Sequence, residues 1–199
     1  PMVASILGHK DIQTTYENYV HLADETLKKA THRHPLVRKN INPSEIIKTI
    51  KEAVENNVIV IVASGNCGEG CPSSSCGGFK GVTTPGDSMD AITVGAVAET
   101  NEWACFSGGG YITDVGVKPD ITAPGIDITS SVPSGYAIKS GTSMATPHVA
   151  GAAALLLQAR PQLTPARVKE LLKATSIDLG EAGPDTKYGS GLVDLSRIL

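Results

Sequence analysis

Apolar positions change their period several times along this chain, and each change marks an element. Asn42-Pro43-Ser44-Glu45 joins a capping side chain, a proline near the first turn and an early acid, a combination that opens helices. Ile46, Ile47, Ile50, Ala53 and Val54 then recur at helical spacing, one apolar stripe through Glu55 that Asn56-Asn57 ends. Val58-Ile59-Val60-Ile61-Val62-Ala63 shows no polar alternation at all. A continuous β-branched run of this kind marks a parallel strand covered on both faces. Residues 91–97 read the same way, and Ile121-Thr122-Ala123 before Pro124-Gly125 predicts a shorter strand. Residues 126–140 look like a hairpin. Residues 142–159, apolar for most of their length, predict a buried helix, and Thr164-Pro165 opens another over 164–174. Strands alternating with helices predict an α/β fold, a mostly parallel sheet flanked by helices.

Residues 1–34 have a different character. The stretch 22–30 is helix-like, so a short helical N-terminal segment is expected here. Residues 28–39 carry five Lys or Arg, two histidines and no acid. The organisation that follows is a segment 1–34, a junction 35–41 and a main unit 42–199. At 199 residues the chain can bury a real core, and 41% hydrophobic residues with 21 glycines describe a globular, loop-rich protein. Net charge is −3, divided as +2 over residues 1–40 and −5 over the rest, which argues against a nucleic-acid binder as a whole. No apolar run is long enough for a membrane span, and no basic start followed by an apolar core marks a signal peptide. Pro rather than Met at position 1 suggests a chain that begins mid-protein. Cys67, Cys71 and Cys76 sit in a Gly- and Ser-rich loop, with Cys105 further on. One or two disulfides would rigidify that loop, and four cysteines permit three connectivities. Free thiols stay open as the other reading, while the spacing fits a zinc site poorly.

Candidate chemistry begins at Gly141-Thr142-Ser143-Met144-Ala145-Thr146-Pro147-His148-Val149-Ala150-Gly151. One serine stands between a small-residue turn and the long apolar helix. Its hydroxyl lies near unbonded backbone N–H groups, where developing negative charge is stabilised, which suits an acyl-transfer nucleophile. The plain alternative is a capped core helix with an ordinary serine. Asn66 follows the strand 58–63, at the carboxyl end where α/β sheets collect function, and its amide can donate toward a substrate. Alternatively it is a turn residue beside Gly65.

These strings resemble the nucleophile and oxyanion motifs of the subtilisin-like serine proteases, the subtilases. Thr93-Val94-Gly95-Ala96, Phe106-Ser107, Lys118 to Gly125 and Tyr188 to Asp194 fall in the same family-like order. The resemblance implies the family's fold with Ser143 heading a central buried helix, and endopeptidase cleavage through an acyl-enzyme. Asn66 becomes the oxyanion donor, with Ala63, Ser64 and Gly65 lining the substrate. It further implies a polypeptide substrate and a secreted location. Calcium is common in the family, but no loop of closely spaced acids stands out to hold it, and no other cofactor is implied.

The sequence also departs from the pattern. The family order is Asp, His, Ser, and neither the aspartate segment nor a His-Gly-Thr-His string precedes Asn66. His148 cannot stand in as the base, because five residues along one helix turn it roughly 140° away from Ser143. Two readings follow. In the first, the chain is a portion of a peptidase domain lacking its Asp and His, inactive alone and complemented by a missing front half. In the second, it is a noncatalytic module that binds peptides or a partner. A portion should leave strand edges open, whereas a binding module should have them capped by residues 1–40. Leu7-Gly8-His9, Thr14-Thr15, Tyr19 and His21 resemble the tail of tyrosine recombinases. That implies His9 assisting and Tyr19 attacking a DNA phosphate, with Tyr16 as the second choice. The cationic clamp such a transfer needs is absent from this chain, which leaves DNA strand transfer a remote reading.

Overall fold

The computed structural model describes residues 2–6, 42–71 and 76–197. Strand β1 is Met2–Ile6, followed by helix α1, Pro43–Glu55, and strands β2, Val58–Ala63, and β3, Ile92–Val97. Short strands β4, Gly110–Ile112, and β5, Gly116–Lys118, lead into β6, Ile121–Pro124. Strands β7, Ile128–Val132, and β8, Gly135–Lys139, precede helices α2, Thr142–Ala159, and α3, Pro165–Thr175.

The main sheet runs β1-β2-β3-β6 with every neighbouring pair parallel. Because strand side chains alternate between faces, β2 serves two cores. Ile59 and Ile61 point to one face and join Ile92, Val94, Ala96, Ile121 and Ala123 beneath α2 and α3. Val60 and Val62 point to the other face and pack with Ile50 of α1. Both faces are covered, which is why the run lacks polar alternation. Helix α2 contributes Ala145, Val149, Ala152, Ala153 and Leu156 to the first core, with Val168 and Leu172 of α3 beside it. Helix α1 starts as its sequence dictates: the Asn42 side chain caps Ser44 N–H, and Pro43 occupies the first turn.

Residues 2–6 correct one expectation. They form a strand rather than part of a helical segment, pairing with β2 from Met2 opposite Val58 to Ile6 opposite Val62. An edge strand with unpaired backbone groups is a template for extended chain, and a local helical reading cannot register that pull. The helix-like stretch 22–30, His9, Tyr16 and Tyr19 lie outside the described residues. The β4–β5 ribbon was not foreseen, because three-residue strands in a glycine-rich loop offer no period to read.

Candidate active site

Strand β2 ends at Ala63 and delivers Ala63-Ser64-Gly65-Asn66 to the carboxyl end of the sheet. Gly65 takes φ +94°, and a Cβ there would run into the Thr83 hydroxyl, so only glycine turns the chain this tightly. The turn is pinned from both sides: Ser64 O accepts from Thr83 N–H at 3.0 Å, and Gly65 O accepts from Gly108 N–H at 2.8 Å. Ala63 and Ser64 are buried with their backbone, and Gly65 is half-buried. The Ser64 hydroxyl has no hydrogen-bond partner among the described residues.

The β7–β8 ribbon returns the chain from β6 to the head of α2, where Gly141 N–H bonds Gly125 O at 2.7 Å. Helix α2 begins without a side-chain cap of its own. Asn66 supplies one from 76 residues away: its Oδ1 accepts from Thr142 N–H at 3.0 Å and from Thr142 Oγ1 at 2.9 Å. A Cβ on Gly141 would press on Asn66 Nδ2 at 3.2 Å, a further measure of how close the carboxamide sits to the helix head. Asn66 is therefore bonded to the residue next to Ser143. With Oδ1 engaged, Nδ2 is the atom left to donate, and Asn66 is exposed. Ser143, partly exposed, follows among the N–H groups of the first helical turn, where the helix dipole favours negative charge. Thr142 was not foreseen; its hydroxyl beside Ser143 was the available signal.

Two disulfides anchor the loop behind Asn66. Cys67–Cys76 closes it upon itself, and Cys71–Cys105 ties it to the segment after β3. This settles the cysteine chemistry as disulfides rather than thiols or zinc. His148, the sole histidine among the described residues, is exposed and engages the Met144 carbonyl through Nδ1 at 2.9 Å. No group of three or more His, Cys, Asp or Glu side chains converges among the described residues.

At the opposite, amino end of the sheet lies a charged cluster. Asp120, buried just ahead of β6, meets Lys118 at 2.7 Å, Lys169 at 3.2 Å and Lys173 at 3.6 Å. Burial alone would raise the Asp120 carboxyl, but Lys169, Lys118 and the Thr93 N–H overcome it and hold the group below the usual carboxylate range. Burial pushes the Lys118 ammonium down to about 8, against the pull of Asp120. Within the sequence, the sign of this feature is a Lys and an Asp flanking a proline where a strand enters the core.

Residues 29–191 match the family model described as the Subtilase family. Subtilisin NAT of Bacillus subtilis subsp. natto is 40% identical over 154 residues, 76% of this chain and 36% of its own length. Subtilisin Savinase of Lederbergia lenta is 38% identical over 155 residues, 77% of this chain and 51% of its own. Among solved structures, S41 Psychrophilic Protease superposes with a TM-score of 0.65 at 29% identity, and Sphericase with 0.62 at 27%. Each of those superpositions covers 79% of this chain and 55% of the other. The chain thus spans between about a third and a half of the length of the curated relatives it matches.

Proposed function

The chain belongs to the subtilase family, a family of serine peptidases, and from that we propose that it is the nucleophile-bearing part of a serine endopeptidase. Ser143 Oγ attacks the scissile carbonyl of a polypeptide while a histidine base takes its proton. Asn66 Nδ2 and the Ser143 N–H hold the oxyanion. The protonated base passes the proton to the leaving amine, and water then hydrolyses the Ser143 ester. The base and its orienting aspartate come from outside the described residues, whose only histidine faces the Met144 carbonyl. The chain is inactive until they are supplied. Of the Ala63-Ser64-Gly65 turn only half-buried Gly65 is open to a substrate, and two disulfides fit an oxidising, extracellular setting.

One observation carries this reading: the Asn66 carboxamide is bonded to the residue beside Ser143. A second supports the need for a complementing segment. Helix α2 is apolar nearly all round, as buried helices are, yet Pro147, Gly151, Ala154 and Leu155 are exposed along one face that begins near Ser143. The test is fluorophosphonate labelling of the full chain with and without an Asp- and His-bearing segment supplied in trans. Labelling should occur only with the segment and vanish in Ser143→Ala; no labelling under any complementation would refute the proposal.

The β1–β2 pairing favours the second reading, a noncatalytic peptide-binding module, because it caps the edge that a portion of a domain would leave open. That module binds peptides without a segment in trans and never labels.

A further inference from the structure

The charged cluster at the amino end of the sheet borders a cavity of about 200 Å³. Lys118, Lys169 and Lys173 line it on one side with Asp120, and Met89, Val115, Val117 and Pro184 form apolar walls. Among the described residues no other ionisable side chain lines it. Three ammonium groups against one carboxylate leave two positive charges in excess. Two of the three are fully committed. Lys118 Nζ donates to Asp120 Oδ2 at 2.7 Å, Thr93 Oγ1 at 2.8 Å and the Ala91 carbonyl at 3.3 Å. Lys169 Nζ donates to the Met89 and Ala91 carbonyls, both at 2.8 Å, and pairs with Asp120 Oδ1. Lys173 is different. Its Nζ stands 3.6 Å from Asp120 Oδ1, beyond hydrogen-bond reach, and its side chain is 37% exposed. Ser190, half-buried, also lines the cavity.

We propose that this cavity binds a small carboxylate bearing an apolar group, its oxygens on Lys173 and Ser190 and its body against Met89, Val115, Val117 and Pro184. The carboxylate balances charge that Asp120 alone leaves uncompensated, in a partly closed space where water screens it poorly. Size agrees: an apolar cavity of about 150 Å³ already accepts benzene. The same chemistry occurs in a free aryl or branched-chain acid and at the carboxyl terminus of a peptide ending in an apolar residue. The site does not rest on the peptidase reading, since no residue of the Ser143 region lines it.

Equilibrium dialysis of the full chain at pH 7 tests this, with benzoate as the free acid and N-acetyl-glycyl-leucine as the peptide terminus. At least one should bind saturably, and the one preferred identifies the source. Benzamide, equal in shape but uncharged, should not bind. Lys173→Met should weaken binding about tenfold or more, as loss of a charged donor does, while Lys173→Arg should stay within about threefold. Ser143→Ala should bind like the parent, which separates this site from the proposed peptidase chemistry. The proposal fails if neither acid binds, if benzamide binds as well, if Lys173→Met leaves affinity unchanged, or if inorganic phosphate binds as tightly as both acids.

Discussion

Asn66 uses one carboxamide twice, its oxygen tied to Thr142 and its nitrogen left to donate. On the proposed peptidase reading, two substitutions separate these uses in the complemented chain. Asn66→Ala loses both, so turnover should fall by about 10²–10³, a range measured for such a donor on subtilisin itself, and stability by about 1 kcal/mol for the lost cap. Asn66→Asp keeps an acceptor for Thr142, so turnover should fall while the melting temperature holds. Lys118 gives a second residue-scale prediction. Its pKa in the fold, about 8, lies below the ordinary 10.5, so the unfolded chain binds that proton more tightly. Stability should therefore rise as pH goes from about 8 to 10.5, by on the order of 3 kcal/mol, with the burial cost present in full below 8. Urea unfolding at pH 7.5 and 10 measures the gain, and Lys118→Met should abolish it.

Among the elements, α2 places neighbouring leucines in opposite situations. Leu156 is fully buried and Leu155 is 49% exposed. Leu156→Ala should cost about 2–5 kcal/mol in chemical unfolding. Leu155→Glu should leave the isolated chain's unfolding nearly unchanged yet block labelling of Ser143 in trans, because a charge would then face the proposed complementing segment. The disulfides differ through the chain they close, 34 residues apart for Cys71–Cys105 and 9 for Cys67–Cys76. By loop-closure entropy their removal should cost roughly 4 and 3 kcal/mol respectively, a ranking that thermal melts of the paired Cys→Ser variants can check.

At the scale of the molecule, strand and helix existence was legible wherever one local cause dominated. The β-branched run of β2 and the Asn42-Pro43 start of α1 fall where their residues predict. What stayed hidden depends on contacts distant in sequence. The β1–β2 pairing joins residues 56 apart, and the Asn66–Thr142 bonds join residues 76 apart. Neither leaves a local pattern. The cysteine partners were equally closed to inspection, since spacing alone cannot rank three connectivities. The strings around Ser143 and Asn66 stand out because each is short and contiguous, whereas the four members of the Asp120 cluster are scattered over 56 positions.

Because the sheet strands are all parallel, its two ends are chemically separate places. From Asp120 to Gly125, whose carbonyl holds Gly141, the backbone rises five residues, roughly 16 Å at strand spacing. Substitutions so far apart without a shared partner combine additively to within about 0.5 kcal/mol. A thermodynamic cycle pairing Asn66→Ala with Lys173→Met should accordingly close near zero, so that each site can be re-engineered without retuning the other.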